Sequence, residues 1–369
     1  MKTHEVKKQL LKEFCNGQYR CGSSIPSEKE LIKMFNISRS TLREAVGTLV
    51  AEGILERRQG SGTYLKKLEY GNNPLIGVIV SQISKEETIY VKLIQDLEQI
   101  FSDQGFSIVF GTHQENPILA QQQIERFSKL KVAGVILVPI MLPDMEEVNL
   151  GLVRMLNTMN LPFIFVDSPI SVRTNTWYSC ISVNHFQGMY QLVKYLTGLG
   201  HKHVAHIRGF HGVYTAEMRC AGYVEALREC GLPINSGYIR EIRNRQVQIQ
   251  GREEVRELMK LPVPPTAIAC VHDLIAGNVI DELRLMGYRV PEDVAVTGFD
   301  DIPVPGIPYD FLTTMEQPVD EVAHAAANMI LRKINSDAGG ELQQGISCRL
   351  KIRHSCMQVA KKENMVLQE

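Results

Sequence analysis

The chain has 369 residues, too many for one ordinary core, and 44% of them are hydrophobic, which excludes a disordered chain. No apolar run reaches the roughly 18 residues that span a membrane, and the charged start MKTHEVKKQLLKEF lacks the apolar stretch of a signal peptide, so we expect a cytoplasmic protein without membrane contact. The net charge is −1, but it is unevenly distributed: residues 1–70 hold 13 Lys and Arg against 8 Asp and Glu, a charge of +5, and the remainder of the chain has a charge of −6. A positively charged N-terminal part is suited to binding a polyanion.

The N-terminal part has the apolar spacing of three short helices. Residues 5–15 predict an amphipathic first helix. Ser27 followed by Glu30 has the pattern of a capping box and predicts the start of a second helix. Ser38 predicts the N-cap of a third helix, which Gly53 ends. The outward N-terminal end of this third helix would carry Arg39, Ser40, Thr41 and Arg43.

A hairpin is predicted directly after the third helix. Residues 54–58 and 63–65 are short strand-like segments, and the tip between them, Gln59-Gly60-Ser61-Gly62, is rich in glycine. Three helices followed by a hairpin make a winged helix-turn-helix, whose third helix enters the major groove of DNA. Arginine supplies forked donors that suit guanine edges and phosphates, and glycines at a wing tip let the backbone approach a phosphate.

The segment IPSEKELIKMFNISRSTLREAVGTLVAEGILERRQGSGTYL closely resembles the DNA-binding domain of the GntR family, and the resemblance covers nearly all of residues 5–66. It implies that the second and third helices contact operator DNA and that the wing tip reaches the minor groove. Lys29 stands where arginine is common in the family, so the charge is kept and the bidentate fork is lost. The predicted DNA-binding residues are Lys29, Ser38, Arg39, Ser40, Thr41, Arg43, Arg58, Gln59, Gly60 and Ser61.

The rest of the chain alternates strands with helices. Residues 67–74 are polar and contain helix and strand breakers, so they predict a linker between a domain over 1–66 and a domain over 75–360. Strands buried on both faces and separated by helices predict parallel sheets, and the repetition is long enough for two doubly wound lobes. The predicted strands lie at 75–80, 106–111, 132–138, 163–167, 181–183, 204–207, 238–241, 267–271 and 294–299, with helices near 89–104, 117–130 and 146–159.

Polar residues that follow these strands are the candidates for a ligand site, because ligands bind beyond the carboxyl ends of parallel strands. Between two lobes, those ends would face a shared cleft. Any one of these residues could equally cap the next helix, whereas a full set at successive strand ends favours a cleft. The set is Ser81, Gln82, Asp167, His272, Asp273, Asp300 and Asp301.

Several stretches resemble the effector-binding core of the LacI repressor family, which shares the fold of periplasmic sugar-binding proteins. They include VNHFQG at 183–188, LGHKHVAHI at 199–207 and RVPEDVAVTGFDD at 289–301, and the likeness runs from about residue 75 to 356. The resemblance implies effector contacts by Ser81, Gln82, Asp167, Thr215, Arg219, His272, Asp273 and Asp300. Carboxylates accept hydrogen bonds from sugar hydroxyls, and an arginine fork spans two of them.

Two positions in this body leave alternatives open. His272 stands where asparagine is frequent in sugar-binding members of the family, which would select a different ligand or make binding pH-sensitive near neutrality. Trp177, the only tryptophan, would be a pocket residue, a lid or an interface residue. The expected fold is therefore α/β, with an N-terminal winged helix-turn-helix and a two-lobed, doubly wound parallel-sheet domain of the periplasmic-binding-protein type.

The combination of the two modules resembles the arabinose-responsive regulators of Gram-positive bacteria. It implies a transcription regulator, a repressor, which binds double-stranded operator DNA as a homodimer and responds to a small-molecule effector. A carbohydrate is the expected effector, and a nucleobase or nucleoside is the alternative. An enzyme is the competing class, but the sequence has no phosphate loop and no nucleophile elbow. Its eight cysteines form no CxxC pair, so neither a metal nor a cofactor is expected.

Overall fold

The structure, a computed structural model, describes residues 3–14, 22–58, 61–66, 73–83, 89–170, 178–244, 246–335 and 342–358. The chain divides into two compact units, Met1–Asn73 and Pro74–Glu369. Most of the predicted linker at 67–74 lies outside the described residues. Within the described ranges, no helix has both the length and the apolar character needed to cross a bilayer.

The N-terminal unit has the predicted order of three helices and a hairpin. The capping box is confirmed, because the Ser27 side chain accepts from the Glu30 amide and the Glu30 carboxylate accepts from the Ser27 amide at 2.8 Å. Asn36, in the left-handed region at φ 49°, ends the second helix and allows the tight turn. The elements are α1 (Thr3–Phe14), α2 (Glu28–Phe35), α3 (Arg39–Ala51), β1 (Leu55–Arg58) and β2 (Gly62–Leu65), the two strands antiparallel.

One apolar cluster holds this unit together. Leu10 and Phe14 of α1 are fully buried against Leu42 and Leu49 of α3. Burying each such side chain contributes about 1.5–3 kcal/mol to folding. Because this face of α3 is used for the core, its N-terminal polar residues point to solvent.

The elements of the second unit follow the predicted alternation. In chain order they are β3 (Leu75–Val80), α4 (Ile89–Asp103), β4 (Ser107–Thr112), α5 (Pro117–Lys129), β5 (Gly134–Leu137), α6 (Glu146–Thr158), β6 (Phe163–Asp167), β7 (Cys180–Val183), α7 (His185–Gly198), β8 (Val204–Arg208), α8 (Tyr214–Glu229), β9 (Ile239–Glu241), α9 (Arg252–Met259), β10 (Ala267–Cys270), α10 (Asp273–Leu285), β11 (Ala295–Thr297), β12 (Thr314–Glu316), α11 (Val319–Ile334), β13 (Gln343–Ile346) and β14 (Arg349–Lys351).

Two parallel sheets define two lobes. The described strands of the first lobe have the order β13-β7-β6-β5-β3-β4, and those of the second lobe have the order β11-β10-β8-β9. Apolar clusters on both faces of the first sheet join it to α4 and α11 on one side and to α5 and α6 on the other. The second sheet is covered in the same way by α7 and α8 and by α9 and α10. The α/β doubly wound prediction is confirmed.

The two lobes are not consecutive in sequence. Strand β7, which corresponds to the strand predicted at 181–183, belongs to the first sheet, where it pairs with β6. The chain then crosses to the second lobe at α7, returns through β12 to α11 and β13, and crosses again to β14, which pairs with β12. Sequence periodicity did not predict β12, β13 or β14.

Helices α7 and α8 pack unusually close together. A Cβ atom on Gly222 of α8 would lie 2.2 Å from the main-chain oxygen of Phe186 in α7. Only glycine fits this crossing, which fixes the position of α8 relative to the first turn of α7.

Candidate functional site

The exposed end of α3 carries two arginines held by one carboxylate. The Nε atoms of Arg39 and Arg43 both donate to Glu28 of α2 at 3.2 Å. The hydrogen bond from Arg43 is the main cause that lowers the pKa of Glu28. Both arginine side chains remain more than half exposed, at 68% and 57%. They are therefore oriented before binding and still accessible to a polyanion.

The other predicted DNA-binding residues lie around these arginines and on the hairpin. The Ser38 hydroxyl caps α3 by accepting from the Thr41 amide at 3.1 Å and also bonds the Ser40 hydroxyl at 2.9 Å. Lys29 is exposed on α2. On the hairpin, Arg58 lies 4.3 Å above the ring of Tyr64, whose hydroxyl is 2.6 Å from Ser61 Oγ. The wing-tip residues Gln59 and Gly60 lie outside the described residues.

In the second unit, the lobes approach each other at the carboxyl ends of their strands. Gly212, after β8, lies against Pro143, after β5, and a Cβ at Gly212 would be 3.5 Å from the Pro143 Cβ. Beside this contact is a cavity of about 710 Å³, lined by residues within 139–149 and 168–170 of the first lobe and 211–217 of the second. Pockets that enclose small molecules typically have about 300–1,000 Å³.

Arg219 of α8 is the centre of a buried hydrogen-bond network at these strand ends. Its side chain is 6% exposed, and Nη2 donates to Oδ1 of Asp300 at 3.0 Å and lies 3.2 Å from Nδ1 of His185. Nη1 donates to the main-chain oxygen of Val271. The same Asp300 oxygen accepts from Nε2 of Gln317 at 2.6 Å. A cation and an anion are thus paired and hydrogen-bonded away from bulk water, as a buried pair requires.

Asp167 faces this network from the first lobe. It ends β6 in the left-handed region at φ 79° and accepts a hydrogen bond from the Tyr90 hydroxyl at 2.8 Å. Burial raises the pKa of Asp167 to about 6, although the Tyr90 hydrogen bond and Arg219 act in the opposite direction. The ionised carboxylate is consequently a costly state near neutrality, and none of the ion pairs formed among the described residues includes it.

Two of the predicted cleft residues are engaged within the second lobe. Asp273 is fully buried, and its carboxylate accepts from the Thr314 hydroxyl at 2.6 Å and from the Ile302 amide at 2.9 Å. It therefore supports the loop that carries Asp300. His272 accepts from the Ile275 amide through Nδ1 at 3.4 Å, and burial lowers its pKa to about 4, a direction that does not favour the expected pH sensitivity near neutrality.

The described lining of the 710 Å³ cavity includes none of the predicted effector residues, and Asp300 and Asp301 line a separate cavity of about 410 Å³ instead. Ser81, directly after β3, is 6% exposed, whereas the neighbouring Gln82 is exposed. Thr215 is half-buried in the first turn of α8. Asp301, the neighbour of Asp300, is paired with Arg353 at 2.7 Å and so serves the second lobe itself.

Four further polar residues lie beside this network and were not predicted. His185 and Gln317 each follow a strand end closely, so the strand-end rule could have found them had the strand before Gln317 been recognised. Tyr90 lies at the start of α4, and the Glu115 carboxylate accepts from the Met141 amide at 2.7 Å. No sequence pattern marks either position as part of a ligand site. Trp177 lies outside the described residues. No group of three or more His, Cys, Asp or Glu residues within the described ranges could hold a metal ion.

The chain matches two protein families. Residues 2–65 match the bacterial regulatory proteins of the gntR family, and residues 193–356 match the periplasmic binding protein-like domain. The resemblance of both modules is therefore confirmed.

Curated relatives align with this chain along most of their own length. An arabinose metabolism transcriptional repressor of Halalkalibacterium halodurans is 27% identical over 95% of this chain and 95% of its own. A repressor of the same name from Geobacillus stearothermophilus is 25% identical over 89% and 90%. An HTH-type transcriptional repressor PurR of Pasteurella multocida is 26% identical over 83% and 91%. These relatives are repressors and not enzymes, as expected for this chain.

Solved structures agree with the fold. The transcriptional regulator CelR in complex with cellobiose has a TM-score of 0.67 at 20% identity and covers 90% of this chain and 100% of its own. The Escherichia coli transcriptional repressor ascG has a TM-score of 0.63 at 20% identity over 77% and 100%.

Proposed function

We infer that this chain, a transcription regulator that joins a GntR-family DNA-binding domain to a periplasmic-binding-protein-like effector domain, represses its target genes until a neutral sugar occupies the interlobe cleft. The observation that carries this inference is the buried Arg219–Asp300 pair at the strand ends of the second lobe, opposite Asp167 of the first. Paired guanidinium and carboxylate groups offer the donors and acceptors that adjacent hydroxyls need. Sugar bound to both lobes would favour their closed arrangement through its differential affinity for the two states.

The proposed DNA contact is made by α3 in the major groove. Arg39 and Arg43 are exposed and oriented by Glu28, and Lys29 adds a positive charge on the adjacent helix. Base-edge contacts by these arginines would specify the sequence, while the capped N-terminus of α3 and Arg58 would contact phosphates. Affinity for DNA is expected to fall steeply with salt, because each phosphate contact releases counterions.

Arabinose is the effector that we propose to test first. The repressors of arabinose metabolism named above match this chain over at least 89% of its length. A pentose presents the adjacent hydroxyls that the Arg219–Asp300 pair and Asp167 can bind. A purine is the second candidate, because the PurR relative is 26% identical over 83% of this chain.

We further propose that the regulator acts in the cytoplasm as a homodimer on a pseudo-palindromic operator, one head to each half-site. The edge strand β4 and the adjacent α5 leave Phe110 and Ile118 exposed at 49% and 63%. Apolar residues of this size on a sheet edge are a typical site of self-association. A second copy of the chain would cover them.

The test is a thermal-shift screen of the full-length protein against arabinose, other sugars, sugar phosphates and purines. A ligand whose free concentration is 100 times its Kd stabilises the folded protein by about 2.7 kcal/mol, so an effector should raise the melting temperature. Asp300→Asn should abolish the shift, and the exposed Asp310→Asn should keep it. A shift with purines alone would replace the sugar assignment. A shift that survives Asp300→Asn would remove the cleft from the mechanism.

A further inference from the structure

His185 lies where the chain passes from the first lobe to the second. It is the first residue of α7, two residues after β7 ends, and is 1% exposed. The preceding residue, Asn184, is fixed on both sides. Its amide donates to the Ile346 oxygen of β13 at 2.8 Å, and its side chain accepts from the Gln187 amide at 3.0 Å. His185 is therefore held at a defined point of the crossover.

The ring of His185 accepts a hydrogen bond from the effector-site arginine. Nη2 of Arg219 lies 3.2 Å from Nδ1, and because arginine has only donors, Nδ1 must be unprotonated and Nε2 must carry the proton. Burial, and next the charge of Arg219, holds the pKa of His185 well below its ordinary value, although the nearby main chain of Asp167 opposes this shift. The imidazole is therefore neutral.

An aromatic ring completes the support of the guanidinium. The Cζ atom of Arg219 lies 3.8 Å from the centre of the Phe299 ring. The centre of the His185 ring lies 5.9 Å from the centre of the same Phe299 ring. Phe299 is itself held by α7, because a Cβ on Gly188 would lie 2.8 Å from its Cζ atom. The guanidinium plane is thus fixed by Phe299 on its face and by His185 and Asp300 at Nη2.

We propose that His185 is a positioning residue for effector recognition. It holds Arg219 in the orientation that pairs with Asp300, and it links this orientation to the crossover between the lobes. A neutral acceptor suits this role, since it fixes the direction of an N–H bond without adding a second anion beside Asp300. The proposal rests on the proposed function in one respect, namely that Arg219 contacts the effector.

Substitutions at His185 separate positioning from packing. In His185→Asn, the Oδ1 atom takes nearly the place of Nδ1 and keeps the acceptor, whereas His185→Leu leaves an Arg219 N–H unpaired. We expect the affinity for arabinose, measured by calorimetry on the full-length protein, to fall about tenfold or more in the leucine variant, as for the loss of a hydrogen bond to a charged group. The asparagine variant should stay within about threefold of the wild type.

His201→Leu is the matched control, because His201 is also buried in the second lobe and bonds Thr266 at 2.9 Å, outside the network of Arg219. It should lower the melting temperature without changing the affinity for arabinose. In an Arg219→Leu background, His185→Leu should cause no further loss of affinity, because its effect acts through the arginine. An asparagine variant as weak as the leucine variant, or additive losses in the double variant, would overturn the proposal.

A measurement without effector keeps the two proposals distinguishable. In ¹⁵N-histidine-labelled protein, the His185 ring should be neutral with its proton on Nε2, and Arg219→Leu should change the Nδ1 resonance. If arabinose does not bind the wild type, the effector assignment fails, and this spectrum decides the positioning role. A proton on Nδ1, or an Nδ1 resonance that Arg219→Leu leaves unchanged, refutes it.

Discussion

Asp167→Asn should make the effector domain more stable at neutral pH while weakening effector binding. Burial raises the pKa of Asp167 from 3.8 to about 6, so the folded state binds a proton more readily than the unfolded state does. The stability from this group is fully present below pH 3.8 and is lost as the pH rises through 6. At about 1.36 kcal/mol for each pH unit, the loss by pH 7.5 is about 3 kcal/mol. Asparagine has nearly the same shape as aspartate but does not titrate, so the variant does not lose this stability as the pH rises.

The assay is urea unfolding of the wild type and the variant at pH 4.5 and pH 7.5. We expect the advantage of the variant in unfolding free energy to grow by about 2 kcal/mol between these conditions, because most of the shifted titration lies between them. The exposed residue Asp310 provides the control, since Asp310→Asn should show no such growth. An advantage that is equal at both pH values, or a variant less stable at pH 7.5, would refute the argument that burial of this charge is costly.

Three further substitutions test other parts of the structure. Arg43→Ala should weaken binding to a duplex that the wild type selects from a random library by about 1–3 kcal/mol, measured by fluorescence anisotropy, and leave effector affinity unchanged. Unchanged DNA affinity would exclude α3 as the recognition helix. Gly222→Ala should destabilise the second unit by about 1–3 kcal/mol in urea, because its Cβ would meet the Phe186 oxygen at 2.2 Å. Gly151→Ala in α6 meets nothing within 4 Å and should gain up to about 1 kcal/mol, so equal effects of the two glycine variants would contradict the packing argument.

The winged helix-turn-helix could be predicted from the sequence because its signals are local. Ser27 and Glu30 are three residues apart and form both hydrogen bonds of the capping box. Ser38 lies directly before the helix that it caps. Neither depends on a distant part of the chain, and the same is true of the buried strands of the effector domain, whose apolar runs are continuous.

The contacts within the cleft depend on residues that are distant in sequence. Asp273 follows β10 and was expected to face a ligand, but Ile302 and Thr314, 29 and 41 residues later, enclose it. Gln317 reaches Asp300 because β12 lies beside the end of β11, and the sequence shows no apolar run for β12. A pattern of successive residues cannot report such neighbours.

The strand β13 was missed for a different reason. Its sequence QQGI holds one buried residue, Ile346, because the strand lies at the edge of the first sheet. Edge strands expose most of their side chains, so hydrophobic alternation is weak in them.

The threefold crossing between the lobes has a consequence for synthesis on the ribosome. The sheet of the first lobe lacks its edge strand until residues 343–346 have been made, although its other strands are complete at residue 183. In the second lobe, the Ser355 hydroxyl accepts from the Thr313 amide at 2.9 Å and donates to the Val296 oxygen at 2.5 Å. This lobe therefore also cannot complete its contacts until the C-terminal segment has been synthesised. The described elements of the head all come from residues 3–65, so it can fold as soon as it emerges, while the effector domain completes both lobes late and together. A nascent chain would therefore display a folded DNA-binding head well before it can sense an effector.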